Sequence, residues 1–508
     1  MTDLSAPRDP EPSPPESPSQ GQERRLSPVP GGRRSPAAPR LLFSFLLGMG
    51  LAGCASGGGT RAGPVPGSPV PLSPTPEGEA WVRETLASLT LREAIGQLII
   101  PWMPGAYTST TGPEFQEYAR YVEEAGVGGV SISIGLPHSY AAKLNALQSR
   151  AKIPLLVTSD FESGGPGMRI NHSYALPTLL PQGGGTSFPP TMAFGAIGDE
   201  RFTREYARIT AVEARAVGVH LNFAPVLDVN SNPLNPIINT RSFGEDPEAV
   251  ARLGAAYLAG AREGGILTTA KHFPGHGDTK TDSHVELPVV EADRARLESL
   301  ELIPFRRAVE EGVDAVMTAH VAVPGILGPG APPATLSPYF LTGLLREDMG
   351  FHGLLLTDAL RMGAISEGYG VGESAVLALE AGADVLLAPE NVWETLDAVE
   401  AAVRSGRLTR QRLDASVRRI LEMKARLGLH RHRAVDLDRI QEVVGSGAHL
   451  AFADSAATRS ITLPRDRDEL IPVDPRRTRT VLHVVYARSA DLTAGIALGN
   501  LLAEYFPG

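Results

Sequence analysis

Between about Gly78 and His430 the chain alternates short β-branched or apolar runs with longer amphipathic stretches. That alternation predicts repeated strand–helix units, in which a parallel sheet is covered by helices. Eight runs stand out: Ile95–Ile100, Gly128–Ile132, Leu155–Ser159, His220–Ala224, Ile266–Lys271, Ala315–Ala319, Leu354–Thr357 and Asp384–Ala388. Each is bounded by Gly, Pro or a charged residue. Eight such units, in a stretch of the length that a (β/α)8 barrel with insertions needs, predict an α/β chain folded as a TIM-like barrel over 78–430. A doubly wound open sheet is the alternative, and it normally shows a glycine-rich phosphate loop after its first strand. Here Pro101-Trp102-Met103 follows the first run, which argues against it.

The pattern changes at both ends. Residues 431–478 are mostly polar with helical patches and read as a linker; Thr480–Tyr486 then reads as a strand and Asp491–Tyr505 as a helix. One strand and one helix bury no core of their own. They look like the beginning of a second α/β domain that is incomplete, or a last unit packed on the barrel. Residues 1–40 contain ten prolines and no spaced apolar positions, and are expected to be disordered. Leu41–Gly53 is an apolar run, too short for the ~20 residues of a spanning helix but suited to a signal-peptide core. It ends in Leu51-Ala52-Gly53-Cys54, which resembles the lipobox of bacterial lipoproteins, where the cysteine is lipidated after cleavage. A short apolar segment with a chance cysteine is the bland alternative. Residues 55–77 are rich in Gly, Pro and Ser, as a tether would be. The resemblance implies a chain anchored by lipid in the bacterial cell envelope, and Ala55 after the cysteine leans toward the outer membrane.

Composition narrows the function. With 42% hydrophobic and 20% charged residues, neither wholesale disorder nor a multi-span membrane protein fits. The net charge of -10 argues against nucleic acid as the partner. The single cysteine, Cys54, excludes an intrachain disulfide, a Cys-based zinc site and an iron–sulfur cluster.

In a barrel, reactive residues stand at the C-terminal ends of strands. That rule selects Asp160 after the third run, Asp228 past the fourth, Lys271 and His272 at the fifth, His320 at the sixth and Asp358 at the seventh. The densest segment is Lys271-His-Phe-Pro-Gly-His-Gly-Asp-Thr279, continued by Asp282-Ser283-His284. Its glycines and proline make it a loop. His272, His276 and His284 with two aspartates have ligand chemistry for zinc, but Lys271 beside them opposes a cation and no compact helical pair of ligands is present. His276, between two glycines, is expected only to brace the loop.

KHFPGHGDT at 271–279 with DSH at 282–284, NFAPVLDVN at 222–230, RSFGEDP at 241–247 and GLLLTDAL at 353–360 together resemble glycoside hydrolase family 3, in its β-N-acetylglucosaminidase branch. The likeness runs from about Leu89 to Leu429. It implies that Asp358 is the nucleophile of a retaining exo-β-N-acetylglucosaminidase, forming a covalent glycosyl-enzyme. It further implies that His284, oriented by Asp282, manages the proton. Asp160, Arg241, Lys271, His272 and Arg169 are implied as ligands of the sugar, with no cofactor and no metal. The substrate would be a cell-wall or chitin-type oligosaccharide that contains N-acetylglucosamine. An alternative role for Arg241 is a structural pair with Glu245 or Asp246. The family commonly shows Asp-x-Glu-Gly-Gly-Arg where this chain reads Asp160-Phe-Glu-Ser-Gly-Gly-Pro-Gly-Met-Arg169, so Arg169 is displaced by extra residues and Glu162 reads as a brace. Asp228 either meets substrate or holds its own loop. An imidazole does not repel phosphate, so a phosphorylase on the same scaffold stays open, as do a β-glucosidase and a non-catalytic carbohydrate-binding protein of the envelope.

Overall fold

The computed structural model describes residues 67–506, except 171–172, 176–179, 468, 470, 475, 479 and 487–493. The N-terminal tail, the apolar run and Cys54 lie outside the described residues. Among the described residues no helix is long and apolar enough to cross a membrane.

Among the described residues eleven strands occur in chain order: β1 (Ile99–Ile100), β2 (Trp102–Met103), β3 (Gly129–Ile132), β4 (Leu156–Ser159), β5 (Ser173–Ala175), β6 (Leu180–Gln182), β7 (Leu221–Asn222), β8 (Leu267–Phe273), β9 (Ala315–Thr318), β10 (Leu354–Leu356) and β11 (Leu386–Leu387). Seven form one sheet in the order β10-β9-β8-β7-β4-β3-β2, with every pairing parallel. The remaining gap is closed by β1, which pairs with β11. A bridge from Leu356 to Val385 joins β11 to β10, and only Pro101 separates β1 from β2. The ring therefore has eight staves, one of them split by a proline that lacks an N–H. This is the TIM-like barrel. β5 and β6 form an antiparallel hairpin outside the ring, within the loop after β4.

The staves are apolar because both of their faces are covered. Val130, Val157, Leu221, Leu267, Val316, Leu355 and Leu386 are buried, and so is every residue of β8. Full burial of each such side chain is worth about 1.5–3 kcal/mol. The flanking helices start where the sequence supplies caps. Asp199 accepts from the Arg201 N–H to begin helix 200–216, while Asp246 and Pro247 begin helix 247–264, which ends at Gly265 with φ 92°. An acid at the cap and a glycine in the left-handed region are what such termini require.

Three expectations need correction. Strand structure was expected from Ile95, but Leu91–Gln97 is a helix, because Thr90 and Glu93 form a reciprocal capping box that initiates it. Residues 431–478 were expected to be a linker, yet helix Gly447–Ser460 packs against helices 191–197 and 200–216. Phe452 stacks on Phe202 at 5.3 Å, and His449 Nδ1 lies 2.7 Å from Glu213, a buried acid that also accepts from Thr186 and the Gly445 N–H. Thr480–Tyr486 has no strand structure in the fold, since no neighbouring strand pairs with it; Ile496–Tyr505 is helical.

Candidate active site

Four of the six strand-end residues, Asp160, Lys271, His272 and Asp358, line one cavity of about 460 Å3 at the C-terminal mouth of the barrel, with Asp228 and His320 buried behind them. Asp160, Arg169, Arg241, Lys271, His272, His284 and Asp358 all border it, and Asp282 sits beside His284. A more open groove of about 950 Å3 among helices 200–216, 247–264 and 303–310 contains none of these groups. Its charged residues pair with one another, as in Arg252–Glu200 and Arg307–Glu311.

One wall of the cavity is a chain of ion pairs centred on Glu162. Both of its oxygens are engaged: Arg241 reaches them through Nε at 2.6 Å and Nη2 at 3.0 Å, and Lys271 Nζ lies 2.5 Å from Oε2. Lys271 also donates to Asp160 Oδ1 at 3.0 Å, and Arg169 donates to Asp160 Oδ2 at 3.1 Å. Burial opposes charge on Glu162, but Arg241 and Lys271 overcome it and hold its carboxyl well below the usual range. Burial likewise pushes Lys271 toward the neutral amine, and Glu162 and Asp160 outweigh that and raise its pKa. The ammonium has three donors and spends two on these acids. Arg241 pairs with neither Glu245 nor Asp246, the two acids of its own loop; its partner is Glu162. Arg169 stands in the wall despite the extra residues before it. Sequence reasoning left Glu162 as a brace and missed that it holds two of the expected sugar ligands in place. The only local signal was an acid two positions after Asp160.

Asp228 belongs beneath this wall. It is fully buried and accepts from His272 Nδ1 at 2.7 Å, from the His272 N–H and from the His276 N–H at 2.7 Å. With its acceptors used internally it holds the loop rather than meeting a ligand. Since a carboxylate only accepts, the His272 hydrogen is on Nδ1, which leaves Nε2 facing Arg241 Nη2 at 3.5 Å. His276 is likewise a brace. Its Nδ1 is 2.7 Å from Thr279 Oγ1 and its Nε2 is 3.1 Å from Ser283 Oγ. Burial, followed by His272, lowers its pKa to about 4, so the ring is neutral at neutral pH. Gly277 fits the loop to its floor, where a Cβ would come within 1.7 Å of the Val229 carbonyl oxygen. Among the described residues no three His, Cys, Asp or Glu side chains are grouped as a metal would need.

Asp358 lies two residues beyond β10. One oxygen accepts from the Ala359 N–H at 2.7 Å, and no described side chain occupies the other. Burial would raise its pKa, but His320, His272, the Ala359 N–H and Lys271 together hold it below the ordinary value, so it is a carboxylate at neutral pH. His320, which ends its own run, is buried. Its Nε2 donates to the Ala359 carbonyl at 3.1 Å and its Nδ1 meets Thr335 Oγ1 at 2.8 Å, which fixes the peptide after Asp358.

The loop bearing Asp282 and His284 reaches the same cavity as Asp358. His284 Nδ1 lies 2.7 Å from Asp282 Oδ1, and its own N–H donates to the same oxygen at 2.9 Å. Burial opposes the Asp282 charge, but the His284 N–H and ring outweigh it and lower the pKa. The His284 side chain is 59% exposed, with Nε2 unengaged among the described residues. The loop is docked by its backbone: the Gly363 N–H donates to the His284 carbonyl at 3.3 Å and the Ala364 N–H to the Ser283 carbonyl at 3.4 Å. The segment that follows Asp358 therefore also supports the His284 loop. Such an arrangement suits nucleophilic displacement at a carbon with a proton relayed from the opposite side.

The model of the glycosyl hydrolase family 3 N terminal domain matches residues 90–423. A β-N-acetylglucosaminidase/β-glucosidase of Cellulomonas fimi is 32% identical over 414 residues, which are 80% of this chain and 70% of the relative. The β-hexosaminidase A of Pseudoalteromonas piscicida is 32% identical over 67% of this chain, which spans only 58% of that relative. Among solved structures, a family 3 β-N-acetylglucosaminidase from Paenibacillus sp. str. FPU-7 superposes with a TM-score of 0.68 and 40% identity, covering 75% of this chain and 71% of the other.

Proposed function

The chain belongs to glycosyl hydrolase family 3 and is a glycoside hydrolase, and from that premise we propose that it removes terminal N-acetylglucosamine from β-linked oligosaccharides with retention at the anomeric carbon. The observation that supports this reading is the Asp282–His284 pair, which borders the same cavity as Asp358 and is docked on the segment that follows Asp358. The names of the relatives from Cellulomonas fimi and Paenibacillus support the choice of sugar.

In the first step the free oxygen of Asp358 attacks C1 of the sugar while Nε2 of protonated His284 gives its proton to the departing glycosidic oxygen. The products are an aspartyl glycoside and a free alcohol. In the second step neutral His284 takes a proton from water, and the hydroxyl attacks C1 and returns Asp358 as carboxylate. Asp282 keeps the second ring hydrogen on Nδ1 and stabilises the imidazolium. Asp160, Arg169, Arg241, Lys271 and His272 bind the hydroxyls of the sugar, and their mutual pairing spares the binding step the cost of ordering them.

Trapping with a fluorinated amino-sugar that forms a stable glycosyl-enzyme, followed by peptide mapping, tests the assignment. The label is expected on the peptide containing Asp358; labelling at Glu162 or Asp228, whose oxygens are already taken, would overturn it. Running turnover with and without inorganic phosphate separates hydrolysis from phosphorolysis, since only the latter yields the sugar 1-phosphate. In the same reading Cys54 bears lipid and the 55–77 tether holds the barrel off the envelope membrane, which puts cell-wall fragments within reach. Cys54→Ser is expected to move the protein from the membrane fraction to the soluble one; an unchanged distribution excludes the anchor.

A further inference from the structure

Arg169 stands in the sugar wall with little to hold its side chain. Its Nη2 donates to Asp160 at 3.1 Å, and its buried Nε has no hydrogen-bond partner among the described residues. The backbone does the holding. Arg169 closes the short 3-10 helix Gly165–Met168, and both of its flanks are bonded to one strap of chain. The Gly167 N–H donates to the Thr186 carbonyl at 2.9 Å, and the Gly185 N–H donates to the Ile170 carbonyl at 3.0 Å. A Cβ on Gly185 would come within 2.8 Å of the Pro166 carbonyl carbon, so the strap lies flush on the turn and carries it.

The strap is itself held from outside the barrel. Thr186 gives its N–H to Glu213 Oε2 at 2.8 Å and its hydroxyl to Oε1 at 2.6 Å. Glu213 is fully buried on helix 200–216, and its other donors come from the chain beyond the last stave: the Gly445 N–H at 3.1 Å and His449 Nδ1 at 2.7 Å. Among the described residues His449 is the one basic side chain paired with this acid. Gly445, at φ 65°, sits so near the strap that a Cβ would come within 2.5 Å of the Gly184 carbonyl oxygen. Three residues past His449, Phe452 meets Phe188 of the strap edge-on at 6.1 Å. A buried acid that loses a donor has to recover one elsewhere, and the donor nearest to hand is Thr186. Removing His449 therefore shifts the residue on which the Arg169 turn hangs.

We propose that His449 is a positioning residue for sugar binding: through Glu213 and Thr186 it sets Arg169, so that the helix following the barrel buttresses the sugar wall. The proposal rests on the glycosidase reading of the cavity. His449 itself does not border that cavity, and neither does Glu213 or Thr186. The relay ends on a binding group and not on Asp358 or His284. Its loss belongs in affinity for the sugar and leaves the chemical steps alone.

A cycle of four proteins tests it: wild type, His449→Leu, Arg169→Ala and the double variant, each assayed on an aryl β-N-acetylglucosaminide. His449→Leu is expected to raise KM about tenfold, the scale of one hydrogen bond to a charged group, with kcat kept within about twofold. With Arg169 gone nothing remains to be positioned, so adding His449→Leu to Arg169→Ala is expected to leave KM where it was. His449→Asn, whose amide N–H can stand in for Nδ1, is expected to recover most of the affinity. Additive effects in the cycle, a loss confined to kcat, or an Asn variant no better than the Leu one overturns the proposal. If His449→Leu does not fold, Thr186→Val, which removes only the hydroxyl contact with Glu213, takes its place in the cycle. If wild type hydrolyses the aryl β-glucoside instead, the choice of sugar is wrong, and the same cycle on that substrate still decides the role of His449. If it hydrolyses neither, the glycosidase reading fails, and calorimetric binding of free N-acetylglucosamine and glucose to the four proteins decides it; a wild type that binds neither sugar overturns both.

Discussion

Glu162 is 3% exposed and locked between two cations, whereas His284 is 59% exposed and has a single acid as its polar side-chain partner. Both belong to one cavity, but they are stabilised in different ways. The wall around Glu162 is built from residues on different staves, and each of its charges is compensated by another inside the protein. Its geometry is set before any ligand arrives. The loop bearing His284 is fixed by two backbone hydrogen bonds, by the contact of Ser283 Oγ with His276 and by Asp282, and it leaves its reactive nitrogen open. Binding groups gain from being immobile and pre-paired, while a group that alternates between donor and acceptor needs access to both leaving group and water. The wall should therefore respond to mutation mainly through stability, and the loop mainly through rate.

The largest expected effect belongs to neither region but to the residue between them. Asp358→Asn should lower kcat by about 10⁴-fold or more, as loss of a nucleophile does, with the folded circular dichroism spectrum retained. Next comes the wall. Glu162→Gln removes the buried carboxylate that Arg241 and Lys271 share, leaving Lys271 with Asp160 as its remaining acid, and should cost about 3 kcal/mol in denaturant unfolding, in line with breaking a buried pair. Because its folded pKa is depressed, the Glu162 contribution is complete above the ordinary value of 4.5 and is lost as pH falls through the lower folded value. Acid unfolding of wild type should show this loss and Glu162→Gln should not. A stability change below about 1 kcal/mol, typical of an exposed pair, would erase the distinction drawn here.

His284→Ala is the matching test on the loop. It should slow hydrolysis of oligosaccharides by about 10²–10⁴-fold while affecting activated aryl glycosides far less, because a good leaving group needs no proton. Its unfolding free energy should stay within about 0.5 kcal/mol of wild type, as for a surface substitution. Equal losses on both substrate types would remove His284 from proton transfer.

What the sequence revealed of this cavity follows the same division. Asp160, Lys271, His272 and Asp358 were legible because a strand end is a local feature and the barrel rule then converges them. Asp282 and His284 were named through the family resemblance of the loop that carries them, and their pairing spans only two residues. Glu162 was not, since its partner Arg241 lies 79 positions away and nothing in either neighbourhood announces the pairing. The helix at 447–460 failed for the same reason: its anchor, Glu213, is 236 positions from His449. The first stave failed for a local one, because the capping box at Thr90 and Glu93 overrides an apolar run that reads equally well as strand.

The mildest test acts on the seam between the two regions. Gly363 receives the loop so closely that a Cβ there would come within 2.6 Å of the Val285 carbonyl oxygen and 3.1 Å of that of His284. Gly363→Ala therefore has to push the loop tip outward, while the ion pairs of Glu162 with Arg241 and Lys271, to which the loop contributes no partner, are kept. Displacement of a catalytic group by about 1 Å can cost up to about 10²-fold, so kcat on oligosaccharides should fall by about tenfold to 10²-fold. The loss should follow the pattern of His284→Ala, larger for poor leaving groups than for activated ones, with KM nearly unchanged. A rise in KM instead would mean that the docked loop also shapes the sugar pocket, and that the separation of binding from proton transfer is incomplete.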